Sequence, residues 1–172
     1  MKKVVVIGSG GSGKSTFSRK LGDATGLPVV HLDQLYWHAG WVKTPADEWE
    51  EIVRREIDRP EWIMDGNFGG TRKMRLEACD TVILLDLPRY VCLYRVLKRT
   101  LRYRNRTRPD MTEGCRERFD PEFLLWVWNY PNGGRARAEN DISQVGSKDV
   151  YVLKSRQEIE RFLIDPPGGR KS

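Results

Sequence analysis

A chain of 172 residues, 39% hydrophobic and 10% aromatic, has the length of one compact domain and enough apolar side chains for a real core, which excludes a disordered or low-complexity polymer. Thirty Lys and Arg against 24 Asp and Glu give a net charge of +6, and no run approaches the roughly 18 consecutive apolar residues of a membrane span. Cys79, Cys92 and Cys115 form an odd set without CxxC spacing, which excludes a disulfide framework or cysteine zinc site and leads to the expectation of a reducing cytoplasm.

Five short β-like runs punctuate the chain, at residues 3–8, 28–32, 62–65, 81–87 and 149–153. The first follows Lys2 and Lys3, but its apolar stretch stops at Gly8, too early for the core of a secretion leader. Several of the runs are apolar almost throughout, as strands buried on both faces of a parallel sheet must be. Helical patterns lie between them. Thr44 reads as an N-cap with Pro45 at the first helical position, ahead of an apolar stripe from Trp49, Ile52, Val53 and Ile57. Ser155 and Glu158 form a capping box before Ile159, Phe162 and Leu163. The alternation predicts an α/β three-layer sandwich around a five-stranded parallel sheet, with residues 1–165 as a single domain and 166–172 as a flexible tail.

The segment after Pro88 carries the positive charge. Residues 89–118 hold nine arginines and Lys98 against three acids, a balance of +7, so the other 142 residues sum to −1. Such a segment is expected to face something anionic, whether phosphate groups, nucleic acid or an acidic partner; a solvated Arg-rich helix face is the plain alternative. A helix over 89–106 would be about 27 Å long. It would carry Tyr90, Tyr94, Leu97 and Leu101 as one apolar stripe and Arg95, Arg99, Arg102 and Arg106 as a ladder on another face. Thr107, Arg108, Pro109 and Asp110 mark the loop that ends it.

Gly8, Ser9, Gly10, Gly11, Ser12, Gly13, Lys14 and Ser15 satisfy G-x-x-x-x-G-K-[ST] between an apolar strand and a helical segment that opens with Lys14, Ser15 and Thr16. Glycines let successive backbone N–H groups wrap a phosphate, and the helix N-terminus adds its positive dipole end. Lys14 then reaches the β- and γ-phosphates of a nucleoside triphosphate, and the Ser15 hydroxyl ligates Mg²⁺. The same glycines fit a dinucleotide fingerprint, with Asp33 about 20 residues on as the ribose-binding acid, but a long charged Lys14 after the third glycine has no use in that site. Asp33, Asp65 and Asp86 stand at strand ends, where an open parallel sheet gathers its ligand site; Asp65 is the choice for a Mg²⁺- or water-positioning acid, with Asp86 fitting almost as well. Asp33 leads into an aromatic stretch in which Trp37 and Trp41 either stack on an acceptor or cap the core. His31 and His38 have no third partner at metal spacing.

Taken together, these residues resemble adenylate kinase and its relatives among the small-molecule P-loop kinases. Asp65-Gly66 resembles the Asp-Gly at the end of their third strand. Arg95-Val96-Leu97-Lys98-Arg99 resembles the Arg-x-x-x-Arg at the start of their lid, which implies one Arg on adenine and the other on phosphates. The likeness is closer, and covers nearly the whole chain, to bacterial proteins named for DNA topology modulation. It is carried by the stretch from His31 to Trp37, by Trp62 to Asn67, by Asp86-Leu87-Pro88-Arg89 and by the run from Arg104 to Trp128. Asp65-Gly66 is not followed by Phe-Pro-Arg as in adenylate kinases, so Arg72 or Arg75 must substitute, and the lid is a short Arg-rich loop over about 102–120.

The resemblance implies ATP-dependent phosphoryl transfer to a small acceptor, with a nucleoside or nucleotide first and a sugar-like hydroxyl compound next. In that scheme Gly8 to Thr16 hold ATP, Ser15 and Asp65 hold Mg²⁺, and Lys14, Asp33, Asp65, Arg95 and Arg99 form the catalytic set. Asp33, Trp37, Arg72, Arg75, Arg106 and Arg135 are the candidates for acceptor binding; Arg102, Arg106 and Arg108 travel with the lid, and Arg135 and Arg137 either complete the clamp or lie on the surface. The alternative is a nucleotide-binding regulator that grips DNA through its arginines, weakly and without base specificity. A cytoplasmic monomer or homodimer with no membrane partner is the accompanying expectation.

Overall fold

The computed structural model describes residues 1–108 and 111–167. Pro109 and Asp110, expected to mark a loop, and positions 168–172 of the expected tail lie outside the described residues. The core is a five-stranded parallel sheet in the order β2-β5-β1-β6-β7, built from β1 (Lys3–Gly8), β2 (Val29–His31), β5 (Trp62–Asp65), β6 (Thr81–Leu85) and β7 (Asp149–Leu153). A two-stranded antiparallel hairpin, β3 (Trp37–His38) and β4 (Val42–Lys43), stands apart from it.

The period of two along β1 explains the layers. Val4 and Val6 pack with Phe17 and Leu21 of α1 (Lys14–Thr25), with Ile159 and Phe162 of α8 (Arg156–Ile164) on the same face. Val5 and Ile7 point the other way, toward Trp49 and Val53 of α3 (Ala46–Ile57), Leu76 of α4 (Gly69–Ala78) and Ala138 of α7 (Gly134–Gln144). With both faces covered, the sheet is the centre of the predicted three-layer α/β sandwich. A third apolar cluster joins Cys92 and Val96 of α5 (Arg89–Arg102) to Val127 of α6 (Pro121–Asn129). The short α2 (Leu32–Tyr36) links β2 to the hairpin.

Ser155 caps α8 as expected, the Glu158 amide donating to Ser155 Oγ at 3.2 Å, but the return bond reaches one residue further back, the Lys154 amide donating to Glu158 Oε2 at 2.8 Å. The start of α3 differs from expectation. Pro45 holds the N-cap position, and Thr44 is buried with its hydroxyl donating to the Tyr36 carbonyl at 2.7 Å, so that side chain ties the hairpin to α2 and caps nothing.

Two corrections concern α5. It ends at Arg102, with the Tyr103 amide closing on the Arg99 carbonyl, so Arg106 is not part of a helical ladder and lies exposed in the following loop. The apolar stripe read from the spacing faces outward: Tyr90 and Leu101 are 67% and 75% exposed, and the buried positions are Cys92 and Val96. Spacing alone gives an apolar stripe without saying which side meets the protein. Here the inward side carries Arg95 and Arg99 beside two small apolar residues.

Arg75 is 0% exposed, and its guanidinium donates to the carbonyls of Gly66 (3.0 Å), Asn67 (2.8 Å) and Phe68 (3.0 Å). It thereby shapes the turn that follows β5. Replacing it as Arg75→Met would take the donors from the buried Gly66 carbonyl and the part-buried Asn67 carbonyl, at roughly 1–3 kcal/mol for each that water cannot reach, while the Phe68 carbonyl keeps the Thr71 amide. We expect a loss of about 3 kcal/mol in urea denaturation, whereas a surface exchange such as Arg55→Met stays within about 0.5 kcal/mol.

Candidate active site

β1 ends at Gly8 and α1 begins at Lys14, so the glycine loop sits at the carboxyl end of the central strand. Gly13, at the N-cap of α1, is left-handed with φ 95°, no side chain caps the helix, and its first turn holds no acidic residue. The amino end of α1 is therefore an uncompensated positive dipole end facing the loop. The glycines serve packing as well as conformation: a Cβ on Gly10 would lie 2.6 Å from Phe123 Cζ, and Gly11 has φ 77° close against the Cys92 carbonyl. The loop is thus pressed between α5 and α6. Asn67 clamps its first residue from the β5 side, accepting from the Gly8 amide at 3.2 Å and donating to the Gly8 carbonyl at 2.8 Å.

Around the loop lies a cavity of about 660 Å³. Of the residues expected in the site, Gly10, Gly11, Gly13, Lys14, Ser15, Thr16, Asp33, Trp37, Asp65, Arg95 and Arg99 all line it. Gly8, Ser9 and Ser12 shape the loop behind: Lys14 Nζ donates to the Gly8 and Ser9 carbonyls at 3.0 and 2.9 Å, and Ser12 Oγ donates to the Ser9 carbonyl at 2.8 Å. Arg95 Nη1 donates to the Ser12 carbonyl at 3.3 Å. Burial lowers the Lys14 pKa below its ordinary value, against the opposing pull of the Asp33 and Asp65 charges, and Arg99 lowers it further.

Several other candidates are placed elsewhere. Arg72 pairs with Asp141 of α7, its Nε donating to Oδ2 at 2.7 Å, and lines a separate cavity with Arg137. Arg75 is wholly committed to the β5 turn. Arg135 pairs with Asp86 at 3.0 Å and with Glu139 at 2.9 Å, tying α7 to the end of β6. Neither Arg72, Arg75, Arg106, Arg135 nor Asp86 lines the main cavity.

Further residues stand at or behind the wall. His31 stands beside Asp65 in the register of β2 with β5, and its Nδ1 lies 3.0 Å from Asp65 Oδ1. Asp65 Oδ2 is buried with no hydrogen-bond partner among the described residues. Phe68, Phe123 and Trp126 add aromatic surface, and Lys43, Arg108, Glu117 and Arg118 line the cavity from the hairpin and the segment after α5. The hairpin and α2 are both joined to that segment: Trp41 Nε1 donates to the Arg116 carbonyl at 2.9 Å, and Thr112 Oγ1 to the Gln34 carbonyl of α2 at 2.8 Å.

No protein-family model matches the chain, and no curated protein matches it in sequence. Its fold is shared with solved kinases. A shikimate kinase from Acinetobacter baumannii in complex with shikimate superposes with a TM-score of 0.60 at 13% identity, over 95% of this chain and 89% of that one. A gluconokinase from Sinorhizobium meliloti gives 0.54 at 16% identity, over 95% and 87%. A sugar kinase from a Janibacter species gives 0.50 at 22% identity, over 95% and 93%. The likeness is one of fold: an α/β sandwich on a five-stranded parallel sheet, with 95% of the chain inside it.

A phosphate chain set beside Lys14 would raise its pKa back, so the complex would hold more proton than the free protein in the alkaline range. Binding of inorganic tripolyphosphate should therefore take up protons there and weaken as pH rises. Calorimetry in two buffers of different ionisation enthalpy reads the uptake, and Lys14→Ala should remove both the uptake and the binding.

Proposed function

We propose that this protein is an ATP-dependent phosphotransferase that moves the γ-phosphoryl group to a hydroxyl of a small acceptor. One observation carries the reading: the glycine loop, Lys14, Asp65 at the end of β5 and Asp33, which lies in the first turn of α2 and not at a strand end as expected, line a single cavity with Arg95 and Arg99. Fold likeness to kinases whose names specify sugar, shikimate and gluconate acceptors supports the same class.

The loop amides, the α1 dipole and Lys14 hold the triphosphate, and Arg95 and Arg99 stabilise the charge that spreads over the transferring group. Ser15 and Asp65 would hold Mg²⁺; the unpartnered buried Oδ2 of Asp65 fits such a role. The ion supplies neutralisation of the phosphate oxygens. Asp33 accepts the proton of the acceptor hydroxyl as its oxygen bonds to the γ-phosphorus and the bond to the β-phosphate oxygen breaks, releasing ADP. An acceptor phosphate would need cations and no base. The cations expected for it, Arg72, Arg75, Arg106 and Arg135, stand outside the cavity, whereas Asp33 lines it. A nucleoside belongs to the favoured class through its hydroxyls. Lys43 and Arg118 in the same wall suit an acceptor that also carries negative charge.

A second reading, contact with nucleic-acid backbone, is favoured by Arg102, Arg104, Arg106 and Arg116, which are exposed on the Arg-rich segment. Such a grip would be sequence-tolerant and would fade steeply with salt.

The test incubates the protein with Mg·ATP and a panel of sugars, hydroxy acids, nucleosides and nucleoside monophosphates, reading phosphorylated product by mass. With a hydroxyl acceptor, Asp33→Asn should lower kcat by about 10²–10⁴ while Mg·ATP affinity stays within about threefold. Product confined to the monophosphates, with Asp33→Asn active, would reverse the choice of acceptor. No product from any acceptor, together with duplex binding that survives physiological salt, would favour the second reading.

A further inference from the structure

Glu117 is 5% exposed, an unusual place for a carboxylate, and lies in the cavity wall. Its two oxygens serve different partners. Oε1 accepts from Arg99 Nε at 3.3 Å and from Thr100 Oγ1 at 3.1 Å; Oε2 pairs with Arg108 Nε at 2.7 Å. Its backbone is pinned as well, its amide donating to the Arg106 carbonyl at 2.9 Å and its carbonyl accepting from the Asn105 amide at 3.2 Å. One acid thus ties the inward face of α5 to both ends of the loop that follows it.

We propose that Glu117 is a positioning residue for phosphoryl transfer, fixing Arg99 and Arg108 in the cavity wall so that both guanidinium groups address the transferring phosphoryl group; the proposal rests on the phosphotransferase reading above. Arg99 donates from Nε, the guanidinium nitrogen nearest the stem, which sets the direction of its terminal nitrogens, and Arg108 is held beside the carboxylate's other oxygen as an ion pair without hydrogen-bond alignment. Without it, two guanidinium groups near Lys14 and Arg95 would repel one another in a partly enclosed site. The negative charge lets them sit together before any phosphate arrives, and pre-set donors need no rearrangement as charge develops on the phosphoryl oxygens. The acid itself touches neither nucleotide nor acceptor in this scheme; it acts through the arginines.

Positioning makes a different prediction from structural support. Glu117→Gln keeps the size and removes the charge, leaving the cavity more positive. Mg·ATP affinity, read by calorimetry with a non-hydrolysable analogue, should stay within threefold of the parent or tighten, while kcat falls 10- to 100-fold. Thr100→Val, which removes one hydroxyl from Oε1, should lower kcat about three- to fivefold with the KM for ATP unchanged, and it decides the matter should Glu117→Gln fail to fold. Glu113→Gln, an exposed acid on the same segment, serves as the unaltered control. A folded Glu117→Gln with kcat within twofold of the parent, or one whose whole defect lies in KM, overturns the proposal, as does an unaltered Thr100→Val. A parent protein that binds no Mg·nucleotide removes the phosphotransferase reading itself, and the proposal with it.

Discussion

The uncapped amino end of α1 is the feature on which the site depends. A helix whose first amides have no side-chain partner and whose first turn carries no acid must find its hydrogen-bond acceptors from outside, and the loop before it can supply few. Lys14 adds a cation to the same spot and donates to the loop's own carbonyls. Everything nearby answers this concentration of positive potential. Asp33 and Asp65 oppose the effect of burial on Lys14 from the first turn of α2 and the end of β5, and Asn67 clamps the loop from the β5 side. α5 and α6 press on the loop so closely that Gly10 and Gly11 have no room for a side chain.

The architecture was readable because its determinants are local. A strand that must be apolar on both faces looks the same in any sequence, and β1, β5 and β7 fall on the residues expected. The glycine loop was readable for the same reason, since strand, turn and helix follow one another along the chain. What could not be read was orientation. The two stripes of α5 have identical spacing, and apolar composition favours burying Tyr90, Tyr94, Leu97 and Leu101. The fold turns the arginine side inward because that side faces the cradle; the gain is electrostatic and belongs to residues more than 80 positions away, such as Ser12.

Partner choice among arginines was equally hidden. Arg72, Arg75 and Arg135 have the composition of anion-binding residues, yet each is met by acceptors from within the chain: Asp141, the β5 turn carbonyls, and Asp86 with Glu139. The spacing announces only Arg135 with Glu139, four residues apart on α7; Arg72 with Asp141 joins α4 to α7, and Arg135 with Asp86 joins α7 to the sheet. Glu117 escaped notice for the opposite reason. A single acid in a segment of balance +7 reads as dilution of charge, and only its burial between Arg99 and Arg108 reveals it as the centre of the cluster. His31 and Asp65 are separated by 34 residues and become neighbours only through strand register.

The hairpin and the Arg-bearing segment give these charges their enclosure. Gly40 and Trp41 both take left-handed backbone, φ 78° and 64°, which for Trp41 is a costly conformation held by its surroundings. The indole meets Trp37 edge-on at 5.4 Å, donates to the Arg116 carbonyl, and has the Arg118 guanidinium 5.9 Å from its ring. The Gly40 amide reaches the Gly114 carbonyl at 3.2 Å, and Cys115 Sγ the His38 carbonyl at 3.1 Å. Hairpin and segment are thus laced together through backbone groups, so neither can swing from the cavity without the other. Glu117 lies in the same segment, between Arg116 and Arg118, and carries that restraint to Arg99 on α5. On the proposed phosphotransferase reading, a cradle that activates a triphosphate would transfer to water as readily as to an acceptor unless water were kept out. On that reading, the contacts that join the hairpin to the Arg-bearing segment would couple water exclusion to the alignment of the arginines.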